Sequence, residues 1–221
     1  GRSFCSCYDL ELYAEEPRPT QGSQEMPWDP MVDYQMMSEN TECFMSLWHS
    51  DKPVVCKVHG FAVAGGSDIA LCSDIVVMGD HAKIGYPPAR VWGCPTTAMW
   101  VYRVGAEKAK QMLLTGKLVD GVEAAEMGLV AESVPESELD ARVDEMIGKM
   151  AELPTNQLMM QKMVVNQAYA NMGLETTQML ATVFDGIARH TPEGVAFKDR
   201  AEEVGFKQAV EERDEGDVDF E

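Results

Sequence analysis

The stretch His59-Gly60-Phe61-Ala62-Val63-Ala64-Gly65-Gly66-Ser67-Asp68-Ile69-Ala70-Leu71 decides how the rest of this chain is read. It follows the apolar run Pro53-Val54-Val55-Cys56-Lys57-Val58, whose length and β-branched content read as a buried strand. It passes into Ile69-Ala70-Leu71-Cys72, which reads as the first turns of a helix. A strand therefore ends in a Gly-Gly turn and a helix N-terminus points at the same place. Two readings are open. One is a tight corner with no ligand. The other is a set of free N–H groups that holds an anion or a developing oxyanion.

Composition narrows the setting. At 221 residues with 45% apolar content, one large domain with a sizeable core is expected, and a smaller subdomain is possible. No apolar run approaches the ~18–20 residues of a membrane span, and the first residues carry no basic-then-apolar export pattern. The net charge of −19 argues against general binding of nucleic acid or an anionic membrane. An anionic ligand would need local Lys and Arg to overcome that field. Cys5 and Cys7 form a C-x-C pair that no second pair or nearby His completes into a zinc pattern, so no metal site is expected. Cys56 and Cys72 sit in apolar runs. Reduced, buried thiols in a cytoplasmic protein are the expectation.

Outward from the turn, residues 1–5 read as the end of a strand and a turn. Residues 11–30 are acidic, hold Pro17, Pro19, Gly22, Pro27 and Pro30, and read as a loop. Residues 31–50 read as mostly helix with one face buried. Strands are expected over 74–78 and 82–85, with extended backbone at Pro87 and Pro88. Thr96 or Thr97 is a candidate cap for a helix through 98–102, ended by Gly105, and a second helix covers 106–114 up to Gly116. Asp120 and Glu123 have capping-box spacing and open a helix over 124–127. A strand is expected over 129–134. Helices follow over 137–152, 155–172, 174–190, 192–204 and 206–213, with an acidic tail beyond Glu211 expected to fray. This gives an α/β core over residues 1–135 and a helical C-terminal region over 136–221.

Several segments resemble the crotonase (enoyl-CoA hydratase/isomerase) superfamily. Phe4-Cys5-Ser6-Cys7-Tyr8-Asp9-Leu10 is similar to its Phe-x-x-Gly-x-Asp-[Leu/Ile] signature, and residues 52–71 to its second signature. Cys72-Ser73-Asp74-Ile75, Leu114-Thr115-Gly116 and residues 124–130 continue the match. The resemblance implies a spiral of ββα units with a helical C-terminal trimerisation region, assembled as a homotrimer or as a hexamer of two trimers. It implies an acyl-CoA or enoyl-CoA thioester as substrate, with coenzyme A entering as part of it and no permanently bound cofactor. Two main-chain N–H groups would polarise the thioester carbonyl and hold the enolate. Matched motif to motif, these belong to Tyr8 and Gly65. The family also carries a strand–helix–strand unit before the position of Gly1, so the sequence is expected to be part of a longer chain.

The same resemblance assigns catalytic carboxylates. The first falls on Asp68, one methylene shorter than the family's Glu. It can serve as a base, or it can be a carboxylate stabilised at a helix N-terminus. The second falls on Pro88, which has no titratable group, and losing one acid/base partner costs ~10²–10⁴ in rate. Cys7 stands where the family has Gly, which strains the turn if that position has positive φ. Arg2 aligns with a basic position near coenzyme A phosphates, Ser6 and Tyr8 fall near the adenine, and Lys207 is a candidate phosphate contact or a solvated charge. His59 is expected to make a structural hydrogen bond, and Cys94 to be a packed thiol. The Met-rich residues 158–165 read as core or trimer contact, with a deformable acyl-pocket wall as the alternative.

Three functions fit this pattern. The first is enoyl-CoA hydratase, adding water reversibly to a 2-enoyl-CoA. The second is a divergent isomerase or acyl-CoA thioester hydrolase. The third is a non-catalytic acyl-CoA-binding subunit, and the absent second acid motivates both alternatives.

Overall fold

Two short strands flank the corner at Gly60, β1 (Val55–Val58) and β2 (Phe61–Val63). Gly60 has φ 63°, and a side chain there would press on Ser3. The chain then enters α2 (Gly65–Leu71). The pattern repeats in β3 (Ile75–Gly79), β4 (Lys83–Gly85) and α3 (Met99–Thr115), and again, rearranged, in β5 (Leu118–Asp120), α4 (Gly121–Glu126) and β6 (Glu132–Val134). In this computed structural model, which describes residues 1–19 and 22–216, the strands form two three-stranded sheets. One has the order β1-β3-β6 and is parallel throughout. The other has the order β2-β4-β5, parallel then antiparallel. The first two units each lay one strand in each sheet, which produces the spiral of ββα units. Cys5 adds to the edge of β2 through a parallel bridge to Ala62.

Placement follows composition. β3, central in its sheet, is apolar on both faces, and Val76, Val77 and Met78 are fully buried. They pack with Leu71, Ile84, Met99 and Trp100 into the core beneath the Gly-Gly turn or against its neighbours. The helix α1 (Pro30–His49) buries Asp33, Met37, Thr41, Met45 and Trp48, a stripe at helical period. Asp29 caps it by accepting from Met31 N–H at 2.9 Å. The helical part comprises α5 (Leu139–Ala151), α6 (Thr155–Asn171), α7 (Leu174–His190), α8 (Pro192–Val204) and α9 (Phe206–Glu215). α7 packs along α1, while α8 and α9 pack against each other.

Local differences from the sequence reading have identifiable causes. Residues Glu11–Glu15 form one π-helical turn rather than loop, burying Ala14 beneath α8. Thr20 and Gln21 of that loop lie outside the described residues. Pro87 and Pro88 open a 3₁₀ turn, Pro87–Ala89, because proline's φ also fits a first helical turn. Neither Thr96 nor Thr97 caps α3; the flanking Ala98 is left-handed at φ 53° and both hydroxyls bond elsewhere. Gly105, with φ 73° and ψ 172°, breaks α3 into two helical stretches at a kink, as the sequence reading expects. Asp120 caps α4 as expected, accepting from Glu123 N–H at 3.0 Å. The strand expected over 129–134 is confined to β6, and β2 and β5 are too short to stand out from their turns. α9 continues past Glu211 to Glu215 with Arg213 buried, so the fraying expected there does not apply to those residues. Residues 217–221 of the tail lie outside the described residues.

Candidate active site

A cavity of about 310 Å³ opens beside the Gly-Gly turn. Its wall is mostly apolar, from Tyr8, Leu10, Tyr13, Met37, Trp92 and Phe197, and it receives three carboxylates, Asp68, Asp185 and Asp214. The turn that shapes one end is held in an unusual conformation. Ala64 has φ 53° and ψ −121°, and its carbonyl accepts from both Ser67 N–H and Asp68 N–H. A Cβ on Gly66 would collide with the Cys5 carbonyl, and one on Gly65 would stand 3.3 Å from the Tyr8 ring. Glycine at both positions lets the 5–8 segment lie directly against the start of α2.

That approach brings two backbone donors to one point. The N–H groups of Tyr8 and Gly65 both face the Cys7 thiol and favour its thiolate, although burial outweighs them and pushes the thiol pKa up. Cys7 itself has φ 128°, a conformation that an L-residue with a Cβ adopts at a cost. Strained backbone gathers here, with Cys7, Ala64 and Trp92 (φ 87°) all on the cavity wall.

Asp68, four residues into the first unit's helix, is 3% exposed. Oδ1 accepts the Thr97 hydroxyl at 2.5 Å, and Gln178 from α7 donates to the Thr97 carbonyl at 2.9 Å. Burial pushes the Asp68 carboxyl up to about 7; the Thr97 hydroxyl opposes this and the charge of Asp185 adds to it. Asp185, from α7, accepts Cys94 N–H at 3.0 Å through Oδ1 and pairs through Oδ2 with Arg189. Burial raises its pKa against the pull of Arg189 and the Cys94 N–H. Arg189 also reaches Asp33 Oδ1 at 2.5 Å and the Gly22 carbonyl at 2.9 Å.

Sequence reading missed Asp185. An Asp and an Arg four apart on a helix read as a solvated pair. On α7 the polarity is inverted: Thr182, Asp185, Gly186 and Arg189 are buried, while Met179, Leu180, Val183, Phe184 and Ile187 are exposed. The apolar stripe that helical periodicity picks out is the exposed face of α7, so periodicity alone points away from Asp185.

Tyr8, Gly65 and Asp68 therefore meet in one cavity, and Ser6 lies on its wall. Arg2 and Lys207 are exposed and are not on that wall. Pro88 lines the cavity without a titratable group, and Tyr86 O–H donates to the Cys94 carbonyl at 2.8 Å. Cys94 is a packed thiol pushed up to about 11, mainly by burial. His59 bonds through Nε2 to the Gly1 carbonyl at 3.2 Å. The Met-rich stretch on α6 is neither core nor acyl-pocket wall within this chain: α6 buries no residue, and Met160, Met163, Val164 and Val165 are exposed.

The family model for enoyl-CoA hydratase/isomerase matches residues 1–205. The chain belongs to the enoyl-CoA hydratase/isomerase family. Its fold is close to that of a crystal structure of an enoyl-CoA hydratase from Mycobacterium smegmatis, with a TM-score of 0.90 and 48% identity, covering 98% of this chain and 75% of that one. Among curated relatives, the crotonyl-CoA hydratase of Syntrophomonas wolfei is 30% identical over 166 residues, 74% of this chain and 60% of that protein. Enoyl-CoA hydratase EchA19 of Mycobacterium tuberculosis is 29% identical over 141 residues, 62% of this chain and 50% of that protein. The chain spans about half the length of the curated relatives it matches, from 48% to 60%. Within this enoyl-CoA hydratase/isomerase chain, no helix of the described residues is long and apolar enough to cross a membrane.

Proposed function

We propose that this protein is an enoyl-CoA hydratase, adding water reversibly across the 2,3-double bond of an enoyl-CoA thioester. The observation that carries the reading is the convergence of the Tyr8 and Gly65 N–H groups beside a cavity that holds Asp68. In this reading the thioester oxygen replaces the Cys7 sulfur between the two donors, which become an oxyanion hole for the enolate. One such donor contributes about 3–4 kcal/mol in the transition state. Asp68, with its pKa near 7, is poised to move a proton at physiological pH. The names of the relatives support the same reaction.

Coenzyme A arrives as part of the substrate and no resident cofactor is needed. Its adenine lies along Ser6 and Tyr8, and the exposed Arg2 and Lys207 supply charge for its phosphates. The exposed apolar rows of α6 and α7 belong between subunits of a homotrimer or of a hexamer of two trimers. Six free thiols fit the cytoplasm.

The test is to incubate purified protein with crotonyl-CoA and longer 2-enoyl-CoAs and follow loss of the conjugated thioester chromophore. Formation of the 3-hydroxyacyl-CoA is expected. Tight acyl-CoA binding with no turnover across the panel would reject the hydratase reading. Sedimentation mass separates trimer from hexamer.

A further inference from the structure

Water addition to a conjugated thioester moves two protons, one from the water and one to the α-carbon. Three carboxylates line the cavity: Asp68 from α2, Asp185 from α7 and Asp214 from α9, the last partly exposed and paired with Arg90 and Arg213. We propose that Asp185 is the second proton-transfer group of this cavity: it holds the attacking water and takes its proton, while Asp68 serves the α-carbon. The inference rests on the hydratase reading above.

Three observations support it. Asp185 stands at the gap left by Pro88. A Cβ on Gly93 would lie 3.1 Å from Pro88 Cβ, 3.2 Å from the Tyr86 hydroxyl and 3.4 Å from Asp185 Oδ1, so Pro88 and Asp185 both lie beside Gly93, and both line the cavity. Next, Asp185 and Asp68 are held differently. Asp185 receives Arg189 and a backbone N–H, which favour its charged form, whereas Asp68 receives a single hydroxyl. Last, Arg189 is shared: it pairs with Asp33 as well as Asp185, so two buried carboxylates face one guanidinium, and His190 Nδ1 stands 3.6 Å from Asp33 Oδ2. One guanidinium thus serves two buried carboxylates, and of the two only Asp185 lines the cavity, which points to its use there.

The step balances as follows. The water oxygen bonds to the β-carbon as Asp185 takes one water proton. The double-bond electrons move into the thioester, and its oxygen takes up charge toward the N–H groups of Tyr8 and Gly65. Protonated Asp68 gives its proton to the α-carbon, and the enolate's electron pair forms the new C–H bond. Passage of the proton from Asp185 back to Asp68 resets the pair. The α-carbon role differs from the base role that sequence alone suggested for Asp68.

The experiment compares wild type, Asp185→Asn, Asp185→Glu and Asp68→Asn in two assays: hydration of an enoyl-CoA, and deuterium exchange at the α-carbon of a saturated acyl-CoA in D₂O. Asp185→Asn is expected to lower kcat for hydration about 10²–10⁴-fold while α-exchange and acyl-CoA affinity persist. Asp68→Asn is expected to lose both reactions. Asp185→Glu keeps the charge on Arg189 but misplaces the oxygen, so it should fold and still lose hydration at least about tenfold; it decides the matter if Asp185→Asn does not fold. Hydration within about threefold of wild type in either folded Asp185 variant overturns the assignment and leaves the hydratase reading intact. Parallel loss of exchange and hydration in both Asp185 variants overturns it in favour of a structural strut. An inactive wild type on every enoyl-CoA removes the hydratase reading and this assignment together.

Discussion

The Thr97 hydroxyl donates to Asp68 Oδ1 across 2.5 Å, and Gln178 fixes the Thr97 backbone from the opposite side. Thr97 precedes α3 and would ordinarily cap it, yet its side chain is committed to the carboxylate. Replacing it with valine keeps the shape and removes the only hydroxyl that favours the charged form. Thr97→Val is expected to move the Asp68 pKa further above about 7. If Asp68 acts as the acid toward the α-carbon, the alkaline limb of the kcat profile moves to higher pH, and Thr97→Ser restores it. Loss of a partner by a buried acceptor also costs about 1–3 kcal/mol in stability above that pKa, read by urea unfolding. An unmoved limb would separate Thr97 from Asp68 function.

Asp68 makes stability depend on pH in a definite direction. Its folded pKa, about 7, lies above the ordinary value of 3.8, so between them the folded state holds a proton that the unfolded state has released. Stability from this group is full below the ordinary value and is lost as pH rises through the folded pKa. Asp68→Asn retains an acceptor for Thr97 and cannot ionise. At pH 8 it is expected to be more stable than wild type by up to about 4 kcal/mol, with little difference at pH 4. Chemical unfolding at both pH values checks this, and equal slopes in the two proteins would mean that Asp68 is not the titrating group.

The division between what was legible and what was not follows from range. The Gly65-Gly66 turn, the β1 and β3 runs, the Asp120 cap and the α5–α9 boundaries announce themselves through local chemistry, and all appear in the structure. Tyr8, Gly65 and Asp68 were readable because family motifs carry them, and the structure brings them together. Asp185 was not readable, since its local partner Arg189 gives no sign of burial, while Cys94 and Asp33 lie far off in the chain and only tertiary packing brings them to α7. β2 and β5, three residues each, lacked enough pattern to separate from turns. The apolar rows of α6 and α7 face outward, so periodicity finds the helices, while the Met-rich residues 158–165 are not core within this chain.

Cys7 carries a measurable strain. With φ 128° it occupies backbone space that glycine enters freely, and its sulfur lies where the Tyr8 and Gly65 N–H groups converge. Cys7→Gly removes both the Cβ and the sulfur. It is expected to stabilise the fold by about 1 kcal/mol, the lower part of the range for such strain, since it also gives up a partly buried thiol. Under the hydratase reading it should raise kcat/KM for enoyl-CoA. Cys7→Ala, which keeps the Cβ, should gain activity without gaining stability. A lower melting temperature for Cys7→Gly than for Cys7→Ala would show that the backbone is not strained there.

Lys162 is the principal fastening of α6 to the core. The helix buries no residue, so hydrophobic contact alone holds it weakly. Its ammonium reaches Asp74 Oδ2 at 2.8 Å and the carbonyls of Leu47 and Lys52 at 3.0 and 3.3 Å, with the Lys162 and Asp74 side chains 7% and 16% exposed. Asn166 adds a bond to the Trp48 carbonyl at 3.0 Å, and Tyr169 stacks on Trp48 at 5.2 Å. Lys162→Met preserves the stem and deletes the charge, leaving the Asp74 carboxylate, among the described residues, with the Val54 N–H at 2.6 Å and the more distant charge of Arg103. Breaking a pair buried to this degree costs about 3–5 kcal/mol. Because Asp74 sits at the entry to β3, hydrogen exchange should show lost protection in both α6 and the β1–β3 ladder, well before β4 and β5 are affected. Loss confined to α6 would mean that the pair anchors the helix without supporting the sheet.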